Sequence, residues 1–339
     1  MVVNERKDQK DHFYFQWHIT EECNLRCVHC YQEGYKVKAL DKDKLLKIAK
    51  TMDNTLEKWN KKGRVSITGG EPFLKQDILL DLLSYFEKSN NFYWVGILSN
   101  GTLIDDELAA QLKRYNKLKE IQISIDGYNA DTHDKIRGIG SFDKAVKAIE
   151  IIKRNKFFVS IMFTLHRLNV RDAVAVMDLA KELEIDALTI ERITPMNDED
   201  INNFYIPSDE LYKIYKQIYE KKKKVEQASD LRVRVSRPLW GLIDNQLGGF
   251  CPVGLTSLCI LNDGTVLPCR RLEIPVGNIL TDGLFKIWYT SEVLWKLRNK
   301  KLLGGKCKNC SILANCGGCR AIAYTVNGNY MADDPQCWK

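Results

Sequence analysis

No apolar run in the 339 residues approaches the roughly 18 needed to cross a bilayer, so no membrane span is expected. The N-terminus, Met1-Val2-Val3-Asn4-Glu5-Arg6-Lys7, lacks the apolar core of a signal peptide, and the protein is expected in the cytoplasm. No stripe of arginines interleaved with aromatics runs along the chain, so a nucleic-acid partner is not expected. The pair Gly69-Gly70 has neither the Gly-x4-Gly-Lys spacing nor the lysine of a phosphate loop. What remains is an ordinary soluble composition, 45% hydrophobic and 28% charged, in a chain with room for about two domains.

Cysteine is not scarce. Eleven cysteines in a cytoplasmic chain point to metal or catalysis rather than disulfides. Three fall within eight residues, Cys23-Asn24-Leu25-Arg26-Cys27-Val28-His29-Cys30, spaced Cys-x3-Cys-x2-Cys. Three thiolates fix three irons of a [4Fe–4S] cube and leave the fourth open to a further ligand. A structural zinc site would want four ligands, usually as two spaced pairs. The other eight lie between Cys251 and Cys337, enough for two four-ligand sites or for zinc ribbons. The formal charge is +7 with thiols neutral, and three iron–sulfur sites would bring it to about +2. Basicity is therefore weak evidence for a nucleic-acid partner, as is Lys221-Lys222-Lys223-Lys224, which reads as a solvated face.

Residues 1–12 are polar and expected to be mobile. Strand-like Phe13–Thr20 then leads into the cysteine loop, and helical spacing runs from Asp41 to Asn60. Val65-Ser66-Ile67 runs into Gly69-Gly70-Glu71-Pro72, followed by a helix from Asp77 to Lys88. The alternation continues with strand Tyr93–Leu98, helix Asp105–Tyr115, strand Ile121–Ile125 and helix Ser141–Arg154. Strand Phe158–Leu165, helix Val170–Leu183 and strand Ala187–Ile190 follow. Residues 195–206 read as irregular, Ser208–Val225 as a helix, and Asn262-Asp263-Gly264 as a hairpin turn. About six strand–helix units predict a parallel sheet covered by helices, either open and doubly wound or closed into a partial barrel. Two domains are expected, 13–235 and a cysteine-rich 236–339.

The cysteine loop resembles the radical S-adenosylmethionine (radical SAM) superfamily, whose signature is Cys-x3-Cys-x-aromatic-Cys; His29 stands at the aromatic position. The resemblance implies an α/β fold, a partial (β/α)6 barrel with chemistry at the C-terminal ends of its strands. It implies that Cys23, Cys27 and Cys30 hold a cluster that binds SAM and cleaves it to a 5′-deoxyadenosyl radical. Gly69-Gly70-Glu71 matches the family segment holding the SAM amino group. Ser124 matches a SAM-contacting serine, and Arg137 an arginine of peptide-modifying members. Ser99 and Asn100 match a turn bordering the pocket.

The C-terminal cysteines resemble the SPASM extension, which implies two auxiliary [4Fe–4S] clusters. By position Cys251, Cys259, Cys269 and Cys319 would hold one, and Cys307, Cys310, Cys316 and Cys337 the other. Sulfatase maturases carry an aspartate base after the third SPASM cysteine; here Arg270 and Arg271 follow Cys269, so no general base carries over. Paired arginines suit a carboxylate or phosphate on the substrate. The expected activity is peptide or protein maturation. The alternative is a tetrapyrrole or heme-type cofactor, which the tail Cys316–Cys337 also resembles. The first strand starts by Phe13, leaving no room for a leader-binding domain, so a peptide would bind the barrel directly or through a separate protein. A reductant such as ferredoxin or flavodoxin is implied. A non-catalytic iron–sulfur electron carrier would need neither the Gly-Gly-Glu loop nor the barrel.

Overall fold

The computed structural model describes residues 12–32, 40–235, 237–247 and 251–339. All but the last residue of the stretch expected to be mobile lies outside that range. The described strands form one ten-stranded sheet in the order β10-β9-β8-β1-β2-β3-β4-β5-β6-β7. Seven are parallel and follow chain order: β1 (His12–His18), β2 (Lys62–Thr68), β3 (Phe92–Ser99), β4 (Leu118–Ser124), β5 (Val159–Leu165), β6 (Ala187–Arg192) and β7 (Arg232–Arg234). The sheet fits the expected partial barrel, with helices between successive parallel strands.

Helices form where apolar spacing and caps agree. The first, α1 (Lys42–Trp59), is capped by Asp41, whose carboxylate accepts from the Lys44 amide at 2.9 Å, and buries Leu45, Ile48, Ala49, Met52 and Leu56. Next come α2 (Gln76–Lys88), α3 (Asp106–Leu112) and α4 (Ala130–Arg137). The last has eight residues and little apolar periodicity, and sequence reading passes over it; Asn129 caps it. Helix α5 (Ser141–Arg154) matches expectation.

The expected helix 170–183 is shorter, α6 (Val176–Glu182), after a 3-10 turn at Val170–Asp172. Asn169, placed to cap it, instead donates to the carbonyls of Asp126 and Thr164, tying β4 to β5. The irregular segment 195–206 contains α7 (Asp198–Phe204), capped by Asn197, and α8 (Ser208–Ala228) follows.

The C-terminal hairpin does not stand apart. Strand β8 (Ser257–Ile260) pairs parallel with β1, from Tyr14↔Ser257 to Trp17↔Ile260, and β9 (Thr265–Leu267) folds back on β8. Strand β10 (Gly277–Asn278) closes this edge. A partial barrel leaves the β1 edge open, and covering an open edge satisfies its backbone groups. The remaining helices are α9 (Leu284–Thr290), α10 (Glu292–Arg298) and α11 (Arg320–Asn327). Among the described residues no helix is long and apolar enough to cross a membrane.

Candidate active site

The cysteine loop leaves the C-terminal end of β1 and is held by the loop after β2. The amides of Gly70 and Glu71 donate to the carbonyls of Thr20 and Glu22, both at 2.8 Å. A Cβ on Gly69 would lie 2.3 Å from the Thr20 oxygen, and one on Gly70 2.2 Å from the Glu22 oxygen. The glycines thus let two backbones touch, which is a different use from admitting a ligand. Gly70→Ala is expected to displace the cysteine loop and cut both iron at the first site and SAM cleavage by about tenfold or more. Iron titration with a 5′-deoxyadenosine assay checks this; unchanged loading would refute the packing role.

The candidate site residues converge. Cys23, Cys27, His29, Cys30, Gly69, Gly70, Ser99, Asn100, Ser124, Arg137, Arg270 and Arg271 all line one cavity at the C-terminal mouth of the barrel. Glu71 is the exception. It is fully buried behind the loop, where its carboxylate accepts from Ser99 Oγ at 2.9 Å and from the amides of Asn100 and Phe73 at 2.8 and 3.2 Å. Burial raises this carboxyl to about 7 despite those donors. Its visible work is to fix the turn after β3. Ser99 is correspondingly spent on Glu71 and on the Gly101 amide, while Asn100 Nδ2 donates to Asn24 at 2.9 Å and approaches Cys23 Sγ at 3.9 Å.

Arg137 ends α4 between Cys27 Sγ, 3.8 Å from Nη1, and Asp126, 2.5 Å from Nε. Burial opposes ionisation of Asp126, but Arg137 together with the neighbouring histidines and the Thr164 amide holds the carboxyl at about 2. His29 Nε2 is 3.4 Å from the same carboxylate, yet burial pushes its pKa down to about 3, so the ring is neutral there. It packs against His166 with centroids 5.2 Å apart, and its Nδ1 has no protein partner among the described residues. Burial raises the Cys27 thiol to about 11. Cys23, Cys27 and Cys30 all line the cavity, and three such thiols are a donor set that iron would deprotonate and occupy.

The later cysteines fall into two groups. Cys251, Cys259, Cys269 and Cys319 line one cavity beside the barrel, while Cys307, Cys310, Cys316 and Cys337 line another. Burial again pushes a thiol, Cys251, up to about 11. Both groupings suit four-thiolate clusters.

Arg270 and Arg271 are already committed. Arg270 pairs with Glu273, donates to the Tyr31 carbonyl at 3.1 Å and lies 4.5 Å over the Tyr31 ring. It thereby ties the residue after Cys269 to the residue after Cys30. Arg271 donates to Glu191 at 2.7 Å, and Arg237 reaches the other oxygen of Glu191 at 2.5 Å. Sequence reading missed Glu191 and its neighbour Arg192, which extend β6 beyond its expected end at Ile190 and face the cavity. Arg192 bonds Asp334 and Gln336, and Asp334 accepts from the Cys319 amide at 2.7 Å.

Burial would raise the Glu191 carboxyl, but Arg237 and Arg271 overcome it and hold it at about 2. A depressed carboxyl stabilises the fold above its unfolded pKa and loses that contribution as pH falls from about 4.5 toward 2. Glu191→Gln is expected to cost about 3 kcal/mol near neutrality, with the gap to the parent narrowing below about pH 4.5. Denaturant midpoints at several pH values check it.

Three thiols thus gather at the mouth of the barrel, and the eight later cysteines line two further cavities, four to each. Comparison with known proteins agrees. The radical SAM superfamily profile matches residues 17–180, and the SPASM iron–sulfur cluster-binding domain matches residues 251–311. The chain belongs to the radical SAM superfamily and carries a SPASM domain; it is an enzyme of that class, using a [4Fe–4S] cluster, S-adenosylmethionine and further iron–sulfur clusters.

It is 29% identical to the AdoMet-dependent heme synthase of Methanosarcina barkeri, over 95% of each chain. It is also 29% identical to the mycofactocin maturase MftC of Mycolicibacterium smegmatis, over 95% of this chain and 81% of that one. In fold it matches anSMEcpe with bound AdoMet (TM-score 0.76, 21% identity, 96% and 94% covered). Streptococcus suis SuiB bound to S-adenosylmethionine is similar (0.77, 17%, 99% and 81%).

Proposed function

We propose that this enzyme acts on a carboxylate-bearing, heme-type tetrapyrrole. The observation that carries the reading is a cavity wall lined by Arg137, Arg192, Arg270 and Arg271, held in place by Asp126, Asp334, Glu273 and Glu191 in turn. A guanidinium has five N–H donors, so arginines fixed this way keep donors for a substrate carboxylate. Likeness to a heme synthase along nearly the whole of both chains supports it. This reverses the order of the sequence expectation, which placed peptides first.

Cys23, Cys27 and Cys30 hold the SAM-binding cluster in this reading. When bound, the reduced cluster and SAM supply a 5′-deoxyadenosyl radical that takes a hydrogen atom from the substrate. The chain's own part is to orient and enclose. Arg137 sets its charge beside Cys27, Asn100 steadies Cys23, and Glu71 fixes the turn from behind. Gly69, Gly70, Ser124 and His29 frame the SAM pocket. Cys251, Cys259, Cys269 and Cys319 hold one auxiliary cluster, and Cys307, Cys310, Cys316 and Cys337 the other. A small reductant such as ferredoxin or flavodoxin supplies the electron.

The peptide reading keeps support from MftC, equal in identity to the heme synthase. Under it the partner is a peptide, delivered directly or by a separate leader-binding protein. The test is anaerobic: enzyme, SAM and dithionite with either a tetracarboxylate porphyrin or short peptides. The proposal expects 5′-deoxyadenosine to rise with the porphyrin; a rise with peptides alone overturns it.

A further inference from the structure

Parallel strands covered on both faces are normally apolar on both, and a closed barrel fills its interior with branched apolar side chains. This barrel departs from that. Val65 and Ile67 of β2 and Ile121 and Ile123 of β4 are buried in the apolar core, while Arg64 and Ser66, and Glu120 and Gln122, line an interior cavity. Gly96 of β3, between Val95 and Ile97, lines it too and leaves room for the Trp94 ring, 2.4 Å from where its Cβ would be. The result is a chamber of about 440 Å³ inside the barrel.

Its charge is uneven. Four guanidinium groups line it (Arg64, Arg234, Arg237 and Arg271) against two carboxylates, Glu120 and Glu191, a formal excess of +2. Arg234 donates to Glu120 at 2.7 Å, and Arg237 and Arg271 share Glu191. Arg64 makes no ion pair among the described residues; its guanidinium lies 4.4 Å over the Trp94 ring and is exposed. The chamber adjoins the SAM-side cavity, sharing Gln16, Leu98, Gln122, Met162, Glu191 and Arg271 with it. Arg64 stands five residues before Gly69 along β2, about 16 Å below the glycine loop at ~3.3 Å per residue.

We infer that the barrel lumen is a carboxylate receptor: Arg64 and Arg234 take the acidic arms of a long, polyanionic substrate whose reacting carbon lies at the cysteine end. This rests on the tetrapyrrole reading for the substrate's identity, but not for the chemistry of the receptor.

The test uses anaerobic holoenzyme and three probes: coproporphyrin III, its tetramethyl ester, and tricarballylate as a plain tricarboxylate. Porphyrin binding is read by fluorescence quenching. Occupation of the lumen is read by protection of Arg64 and Arg234 from phenylglyoxal, mapped by mass spectrometry. The inference expects the acid to bind and protect, the ester to bind about tenfold or more weakly, and Arg64→Gln to weaken the acid by a similar factor with little effect on the ester. Protection by tricarballylate without porphyrin binding upholds the receptor and overturns the tetrapyrrole reading. Equal binding of acid and ester with no protection leaves that reading standing and overturns the receptor. No protection by any probe overturns the receptor as well.

Discussion

Cys27→Ala is expected to abolish 5′-deoxyadenosine formation while leaving a folded protein with about eight of about twelve irons. Cys27 is one of three inward thiols, and two thiolates do not hold a cube in which the fourth iron is already given to SAM. The fold is expected to survive because the loop's backbone ties run through Thr20 and Glu22 rather than through the thiol. Arg137 keeps its contact with Asp126 and so is not left as an uncompensated buried charge. Val28→Ala is the control, since that side chain is half exposed and outside the cavity lining. Iron, sulfide and SAM-cleavage assays on both variants decide the matter. Twelve irons and intact cleavage in Cys27→Ala would remove the first cluster from this loop.

The second large effect is on stability. Asp334 is fully buried; it accepts from the Cys319 and Gln336 amides at 2.7 and 3.1 Å and from both terminal nitrogens of Arg192. Burial opposes its ionisation, and Arg192 reverses that and lowers its pKa. Asp334→Ala would leave the Arg192 guanidinium, 5% exposed, without a counter-charge, at about 3–5 kcal/mol. It would also free the Cys319 amide, so iron at the first auxiliary site should fall with it. The double variant Arg192→Met/Asp334→Leu should be less damaged than Asp334→Ala, because no lone charge remains buried. Denaturant midpoints for the single and double variants measure this; additive losses would show that the pair is not coupled.

Some of this was legible along the chain because its signals are local. Helix α5 matched its predicted ends, since an amphipathic stripe is complete within its own residues. Helix α4, which carries Arg137, was not legible, because eight residues hold too few apolar positions to show a period. The polar lumen did leave a mark. Alternation in Arg64-Val65-Ser66-Ile67 and Glu120-Ile121-Gln122-Ile123 separates a polar-lined barrel from a doubly wound sheet, whose strands are apolar on both faces.

The sequence by itself determined the class, the eleven candidate thiols and the strand ends that bear the motifs, because ligand spacing and period depend on residues a few positions apart. Only the tertiary structure decided what those groups meet. It set the glycines against the cysteine loop, turned Glu71 away from the cavity and joined the cysteine-rich hairpin to β1. It also committed Arg270 to Tyr31 and Arg271 to Glu191, partners 239 and 80 residues away. Charge partners at that separation are chosen by how the strands stack and which edge is open, and no local spacing encodes either.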